Sequence, residues 1–108
     1  MRGVAHITGG GLTENLPRIL PKGQSVVVRL KSWKPQPIFK ILQREGDVDN
    51  AGMFRTFNMG VGMVMILART DAPKALKRLD RVGEKAFIIG EVIKDSAGPK
   101  VIYDPPLN

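Results

Sequence analysis

The chain has 108 residues, of which 43% are hydrophobic and 25% charged. This length and balance are those of one folded domain rather than of a disordered segment. It contains no cysteine and one histidine, His6, which excludes disulfide frameworks, thiolate chemistry and histidine metal cages. The net charge of +7 favours anionic partners such as nucleic acid or phosphorylated metabolites. No apolar run reaches the ~20 residues of a membrane span, and the first residues lack a signal-peptide pattern, so we expect a cytoplasmic protein.

Alternating apolar patterns predict strands and helices along the whole chain. The predicted strands are short β-branched or apolar runs, and they cover 3–8, 25–30, 61–67, 86–93 and 100–103. The most apolar of them, 61–67, is expected at the centre of a sheet. The predicted helices cover 14–20 with Thr13 as N-cap, 38–46, a helix capped within 47–49, and 71–82 followed by Gly83. This alternation predicts layered α and β structure with a parallel or mixed sheet.

The loop after the first strand is the most informative segment. Residues 6–18 read His-Ile-Thr-Gly-Gly-Gly-Leu-Thr-Glu-Asn-Leu-Pro-Arg. Glycines let backbone N–H groups turn towards a ligand with no Cβ in the way, and a helix start adds unpaired donors, so the bend at 9–11 predicts a phosphate site. Thr8, Thr13 and Arg18 would add further donors. The alternative is a tight structural turn, because the spacing matches neither the P-loop nor the dinucleotide fingerprint.

His6 shares one side of the first strand with Val4 and Thr8, because alternate strand residues face the same way. Next to an anion-binding bend, it can donate to a phosphate or move a proton near neutral pH. The alternative is a lone histidine with a structural role.

A second group of polar residues lies where a predicted helix passes through a glycine turn into the strand at 61–67. Residues 55–63 read Arg-Thr-Phe-Asn-Met-Gly-Val-Gly-Met. Arg55, Thr56 and Asn58 would stand at the mouth of that strand, where ligands of open α/β sheets bind. The alternative is a helix C-cap followed by core methionines.

Together, the two motifs resemble phosphoribosylformylglycinamidine cyclo-ligase, the aminoimidazole ribonucleotide synthetase family of purine biosynthesis. That family carries Ala-His-Ile/Leu-Thr-Gly-Gly-Gly, then Glu-Asn-X-Pro-Arg, and later Arg-Thr-Phe-Asn-X-Gly-X-Gly-Met. Residues 5–11, 14–18 and 55–63 match these runs without a break. Further family features follow in the expected order at Ser32-Trp33, Pro37-Ile38-Phe39, Glu45-Gly46 and Ile89-Gly90.

The resemblance implies that residues 1–108 are part of the C-terminal substrate-binding domain of that enzyme. The implied fold is α+β, with α/β/α layers around a mixed sheet, truncated at its N-terminal side. The family's chain is much longer, so the N-terminal ATP-binding domain would be absent. Met1 stands where the family has an ordinary apolar residue.

The resemblance also implies a reaction. The family uses ATP to activate the formyl amide oxygen of formylglycinamidine ribonucleotide, after which a nitrogen of the same substrate closes the imidazole ring and phosphate leaves. ATP and magnesium would be held mainly by the missing domain, none is expected on this fragment, and the fragment alone would be inactive. The implied partners are the phosphorylated ribonucleotide and, in the full-length family, a second subunit of a homodimer. A bared sheet edge would favour non-native self-association of the fragment. No membrane and no specific nucleic acid is expected as a partner.

Carried over by position, the resemblance makes His6 the catalytic residue, which would contact substrate or move a proton. The implied substrate-binding residues belong to the two motifs and are Thr8, Gly9, Gly10, Gly11, Asn15, Arg18, Arg55, Thr56 and Asn58. Asn15 and Arg18 would support either the loop or the ligand. No metal ligand is expected, because Glu14, Asp47 and Asp49 suit helix caps and first turns. Valine at Gly10 would be expected to block the approach of phosphate.

The sequence leaves two other functions open. A small basic nucleic-acid-binding module is supported by charge alone, and the 6% aromatic content offers little for bases to stack on. Another member of the same ATP-dependent superfamily, such as selenophosphate synthetase or thiamine-monophosphate kinase, is the second alternative. The runs at 14–18 and 55–58 favour the cyclo-ligase.

Overall fold

The computed structural model describes residues 2–107 and places strands and helices along the whole of that range. In chain order the elements are β1 (Gly3–His6), α1 (Gly11–Asn15), β2 (Gln24–Arg29), α2 (Pro37–Gly46), α3 (Asn50–Thr56), β3 (Met63–Ile66), α4 (Ala72–Arg81), β4 (Gly90–Lys94) and β5 (Val101–Asp104). The fold is α+β with a mixed sheet, as expected. Met1 and Asn108, and with them the expectation about Met1, lie outside the described residues.

The described strands form two sheets. β1 pairs antiparallel with β3, so that His6 lies opposite Met63. β2 is the centre of a three-stranded mixed sheet, antiparallel to β4 and parallel to β5. The sheet is mixed because β5, the last strand in chain order, runs parallel to β2, whereas β4 runs antiparallel to it.

The expectation that 61–67 forms a central strand is wrong. Within residues 2–107, β3 has β1 as its one strand partner. Val64 is buried, whereas Met63 and Met65 are 61% and 42% exposed. The strong hydrophobicity of this segment therefore reflects one buried face and one open apolar face, not a strand enclosed on both sides.

The first helix also differs from its prediction over 14–20. It begins at Gly11 and ends at Asn15, and a 3-10 turn over Pro17–Ile19 follows it. Thr13 is not the N-cap, since Gly10 takes that position with a left-handed backbone (φ 98°). Pro17 has no backbone N–H to donate, so the α-helical hydrogen bonding does not continue through it.

The remaining helices are confirmed with small shifts in their bounds. Asp49 caps α3, because its Oδ1 accepts a hydrogen bond from the Gly52 N–H at 2.8 Å. Gly83 follows α4 with φ 82°, the left-handed conformation in which glycine ends helices. The predicted strand 86–93 is shorter in the structure, where β4 begins at Gly90. The Arg29 N–H still donates to the Ile89 carbonyl at 2.7 Å, and β2 ends at this point.

The core lies where α1 and α3 pack against both sheets. Its most deeply buried apolar side chains are Leu12, Leu16, Val28 and Met53. They come from α1, the residue after α1, β2 and α3, so the core fixes the helix that follows the glycine bend. No helix within residues 2–107 has the length and apolar character needed to cross a membrane.

A buried hydroxyl connects the three strands of the mixed sheet. The Ser25 hydroxyl of β2 donates to Asp95 Oδ2 at 2.8 Å and accepts from the Lys100 backbone N–H at 3.2 Å. The Ser25 hydrogen bond, helped by the Ala97 N–H and the Lys100 charge, lowers the pKa of Asp95 below its ordinary value of 3.8.

This contact predicts part of the acid sensitivity of the fold. Because the pKa of Asp95 is lower in the folded state, its stabilising contribution is complete above the unfolded pKa and is lost as the pH falls through the folded one. We expect the melting temperature of Asp95→Asn to fall less steeply than that of the wild type between about pH 5 and pH 2. The control is Asp80→Asn, on the exposed face of α4. Equal slopes for Asp95→Asn and the wild type would contradict the prediction.

Candidate functional site

The two sequence motifs meet where α1 begins and α3 ends. Gly11 packs so closely against the last turn of α3 that an added Cβ would overlap the Phe54 carbonyl oxygen and lie 2.6 Å from that of Phe57. The Thr13 hydroxyl donates to the same Phe54 carbonyl at 3.2 Å. This contact places the segment that follows β1 beside the segment that leads into β3.

The predicted site residues differ in exposure. His6, Thr8, Gly9, Arg18, Arg55 and Thr56 are exposed, Gly10 and Asn58 are partly buried, and Gly11 and Asn15 are buried. The exposed members can reach a ligand directly, whereas the buried members act through the backbone that they hold.

The three glycines of the bend have three different environments. A Cβ added at Gly9 would meet no atom of residues 2–107 within 4 Å, so this part of the bend is open. At Gly10 (φ 98°), a Cβ would overlap the carboxylate of Glu14, whose side chain lies against this part of the bend. Gly11 (φ 59°) is enclosed by α3. The bend is therefore accessible to a ligand at Gly9, whereas neighbouring atoms obstruct it at Gly10 and Gly11.

The Asn15 side chain lies on the inner side of the bend and hydrogen-bonds to its carbonyl groups. Its Nδ2 donates to the Gly11 carbonyl at 2.8 Å and approaches the Gly9 and Thr8 carbonyls at 3.3 and 3.4 Å. Its Oδ1 accepts from Arg18 Nη1 at 3.4 Å. Only 6% of Asn15 is exposed. The amide thus satisfies carbonyl oxygens that point inward, and its geometry is that of a support for the loop rather than a ligand contact.

The turn after α3 has its own supports. Asn58 Oδ1 accepts from the Gly60 N–H at 2.8 Å, a side-chain turn that mimics a backbone one. The indole N–H of Trp33 donates to the Met59 carbonyl at 2.9 Å. Asn58 is therefore used within the turn, while Arg55 and Thr56 in the last turn of α3 are exposed.

Sequence reasoning missed two residues as neighbours of the site. One is Glu14, which it assigned correctly to the start of a helix but whose carboxylate it did not place at Gly10. The other is Tyr103 of β5, whose hydroxyl lies 2.7 Å from the Thr13 hydroxyl. Burial raises the pKa of Tyr103 above 10, and the Thr13 hydrogen bond and the positive charge of Arg55 oppose this shift. Tyr103 and Thr13 are 90 positions apart, so no local pattern signals the contact.

Within residues 2–107, no three histidine, aspartate or glutamate side chains come together closely enough to hold a metal ion. This finding concerns a site made of protein ligands alone, since magnesium is usually held by one or two carboxylates together with waters and substrate phosphates.

These features define a class: an α+β domain in which a strand leads into a glycine bend that is open at its first glycine and braced by a buried asparagine. A family model described as AIR synthase related protein, C-terminal domain, matches residues 1–102. The chain belongs to this family, which confirms the resemblance seen in the sequence.

The similar proteins are cyclo-ligases. The phosphoribosylformylglycinamidine cyclo-ligase of Geotalea uraniireducens is 48% identical over 102 residues, which are 94% of this chain. The cyclo-ligase of Caldanaerobacter subterraneus is 50% identical over 98 residues, and that of Trichlorobacter lovleyi 54% over 92 residues, which cover 91% and 85% of this chain. The matched regions are 29%, 29% and 26% of these relatives, so this chain spans less than a third of their length.

Proposed function

We propose that this chain is the substrate-binding portion of a phosphoribosylformylglycinamidine cyclo-ligase and that it binds the phosphate group of formylglycinamidine ribonucleotide. The whole enzyme would convert this substrate and ATP to aminoimidazole ribonucleotide, ADP and phosphate. The observation that carries the proposal is the contact between α1 and α3, which gathers both family motifs around a bend that is open at Gly9. The family match favours this function over a nucleic-acid-binding module, and the identity to cyclo-ligases favours it over other enzymes of the superfamily.

In this proposal, the Gly9 side of the bend receives the phosphate. Backbone N–H groups of the bend donate to its oxygens, and the hydroxyls of Thr8 and Thr56 add further donors. The guanidinium groups of Arg18 and Arg55 supply positive charge, which strengthens those hydrogen bonds. The side chains named here are all exposed and therefore accessible to a ligand.

Three predicted binding residues have a positioning role in the proposal. Gly11 allows α1 to contact α3, Asn15 holds the carbonyls of the bend, and Asn58 shapes the turn before β3. His6 is the proposed catalytic residue. It lies on the exposed face of β1 and would contact the substrate or move a proton.

The rest of the proposed reaction lies outside this chain. ATP and magnesium, which supply the phosphoryl-transfer chemistry when bound, are held by other parts of the enzyme, and the isolated chain is inactive. The complete enzyme acts as a homodimer in the cytoplasm. The proposal for this chain is therefore limited to binding and orienting the ribonucleotide, with a proton held or moved at His6.

Gly9→Val tests the phosphate site. The experiment uses a chimera in which residues 1–102 replace the matched region of the Geotalea cyclo-ligase. Because a side chain at Gly9 enters open space, it should obstruct the ligand without disturbing the fold. We expect the KM for the ribonucleotide to rise about tenfold or more, which corresponds to a loss of about 1.4 kcal/mol of binding free energy, with an unchanged melting temperature.

Gly9→Ala provides a graded comparison, since a single methyl group should raise the KM less than valine does. An unchanged KM in both variants would exclude Gly9 from the phosphate site. Gly10→Val, the substitution suggested by the sequence, is the poorer probe. It forces a β-branched residue into a left-handed backbone and onto Glu14, so it would disturb the fold as well as the ligand.

Removal of the Glu14 charge tests the same site through a substitution that should improve binding instead of weakening it. A carboxylate at Gly10 repels an anion that approaches the bend, and it must turn towards solvent when phosphate binds. We expect Glu14→Gln in the chimera to lower the KM for the ribonucleotide by a factor of about 2 to 5, the size of one partly screened charge interaction. The control is Glu45→Gln on α2, which should leave the KM unchanged. A raised KM in Glu14→Gln would show that Glu14 assists the ligand rather than opposing it.

A further inference from the structure

Tyr103 connects a strand that carries neither motif to the place where the two motifs meet. It lies on β5, opposite Val28 in the parallel pairing with β2. It also lies beyond residues 1–102, which the family model matches, so the family motifs do not include it. Its ring packs against that of Phe54, with 5.0 Å between the ring centroids. β5 thus brings a side chain from outside the motifs to the last turn of α3.

The Tyr103 hydroxyl begins a chain of two hydrogen bonds that ends on this turn. It lies 2.7 Å from the Thr13 hydroxyl, which in turn lies 3.2 Å from the Phe54 carbonyl oxygen. Because a carbonyl can only accept, Thr13 donates its single proton to Phe54 and must then accept from Tyr103. The hydroxyl pair of Tyr103 and Thr13 therefore has one consistent donor order.

The Phe54 carbonyl needs such a donor. It lies in the last turn of α3, which ends at Thr56, and carbonyls of a last helical turn have no intrahelical N–H partner. The same carbonyl belongs to the planar peptide group that contains the Arg55 N–H. A hydrogen bond that holds the Phe54 carbonyl therefore also holds the backbone from which Arg55 and Thr56 extend.

Close packing alone does not fix the junction of α1 and α3. The missing Cβ of Gly11 allows the two helices to approach, but it does not define how far one slides along the other. The hydroxyl pair adds a directional contact, and Tyr103 is anchored on a strand of the three-stranded sheet. That sheet therefore serves as a fixed reference for the position of α1 relative to α3.

We propose that Tyr103 is a positioning residue of the phosphate site and that, through Thr13, it fixes the distance between the glycine bend and the end of α3. The proposed phosphate-binding side chains come from both sides of this junction, with Arg55 and Thr56 on the α3 side. A phosphate that binds groups on both sides needs their spacing to be set in advance, because a displacement of about 1 Å is enough to weaken such a site. This inference deepens the proposed function and rests on it.

Tyr103→Phe tests the positioning role, because it removes the hydroxyl and keeps the ring that packs against Phe54. The experiment uses the chimera with the Geotalea cyclo-ligase, extended from residue 102 to residue 107 so that it contains Tyr103. We expect the KM for the ribonucleotide to rise about fivefold, the size of one ordinary hydrogen bond. The KM for ATP should not change, since the proposal places ATP on another part of the enzyme. An unchanged KM for the ribonucleotide would overturn the proposal.

Ser25→Ala is the control for a merely structural effect. It removes a buried hydroxyl from the same three-stranded sheet, at the contacts with Asp95 and Lys100. We expect this variant to have a lower melting temperature and an unchanged KM for the ribonucleotide. If it raises that KM as much as Tyr103→Phe does, loss of stability explains both effects and Tyr103 has no positioning role.

Two substitutions of Thr13 test whether the effect passes through the hydroxyl pair. Thr13→Val removes the hydroxyl, whereas Thr13→Ser keeps it. We expect Thr13→Val to raise the KM for the ribonucleotide at least as much as Tyr103→Phe, and Thr13→Ser to leave it near that of the wild type. The double variant Tyr103→Phe/Thr13→Val should be no worse than Thr13→Val alone. Effects that multiply in the double variant would show that the two hydroxyls act independently, against the proposal.

The Gly9 variants separate this inference from the phosphate site itself. If Gly9→Val raises the KM for the ribonucleotide and Tyr103→Phe does not, the phosphate site stands and the positioning role of Tyr103 is wrong. If Tyr103→Phe raises the KM and Gly9→Val does not, both are wrong, because Tyr103 then acts on a part of the ribonucleotide other than its phosphate.

Discussion

Gly11→Ala is expected to destabilise the chain by roughly 3–5 kcal/mol, a large part of the 5–15 kcal/mol that holds a typical domain together. Gly11 has φ 59°, and an added Cβ would overlap the Phe54 carbonyl and crowd that of Phe57. Both obstacles are backbone atoms, so no side-chain rotation can relieve the overlap. Either α1 moves away from α3 or the chain unfolds. Urea denaturation followed by circular dichroism measures the loss.

Gly9→Ala is the matched control for this prediction. It makes the same chemical change two residues earlier, where the new methyl group meets no atom within 4 Å. We expect its free energy of unfolding to lie within about 0.5 kcal/mol of the wild type. Similar stabilities for Gly11→Ala and Gly9→Ala would show that the contact between α1 and α3 does not depend on the absence of a Cβ.

Asn15→Asp is expected to cost about 3 kcal/mol or more at neutral pH, although it hardly changes the shape of the side chain. The substitution replaces the donor that serves the Gly11 carbonyl at 2.8 Å with a carboxylate oxygen. A buried carboxylate then faces carbonyl oxygens that lose their hydrogen-bond donor. The long contact with Arg18, at 3.4 Å, gives limited compensation because Arg18 is exposed. Asn15→Ala, which removes the donor without adding a charge, should cost less, about 1–3 kcal/mol.

The pH dependence of Asn15→Asp identifies the cause of this loss. Repulsion by the carbonyl oxygens raises the folded pKa of the introduced carboxyl group above its unfolded value of about 4. The folded state then binds the proton more tightly, so the penalty is complete at neutral pH and shrinks as the pH falls through the folded pKa. We expect the stability gap to the wild type to narrow as the pH falls from the folded pKa to about 4, the unfolded value, and to stay constant below that. A gap of constant size from pH 7 to about pH 4 would instead indicate that the lost hydrogen-bond donor, and not the added charge, causes the destabilisation.

The elements that the sequence predicts well are those whose signals are local. The helices α2 and α4 follow from apolar residues at helical spacing, and the start of α3 follows from a capping aspartate, Asp49. Such signals depend on neighbours within one or two turns, which the chain order already supplies. The family motifs are also local signals, since each is a continuous run of residues that can be recognised without knowing the fold.

Several of the errors concern partners that lie far along the chain. Thr13 suits an N-cap by type, but its hydroxyl is used by Phe54 and by Tyr103, 41 and 90 positions away. The segment 61–67 is apolar enough for a central strand, yet the number of strand neighbours depends on which strands pair, and hydrophobicity does not encode that. The sequence predicts one phosphate site over all three glycines, because three identical residues carry no information about what packs against each of them.

The sequence by itself determined the α+β class, the identity of the family and the two motifs in which the candidate site residues lie, because each of these depends on residue type and local order. Only the tertiary structure decided that Gly9 is open while Gly10 faces Glu14 and Gly11 faces α3. It alone also placed Asn15 beneath the bend and, among residues 2–107, gave β3 and β4 one strand partner each. The physical reason is that steric access, burial and hydrogen-bond partners are set by segments distant in sequence that pack together.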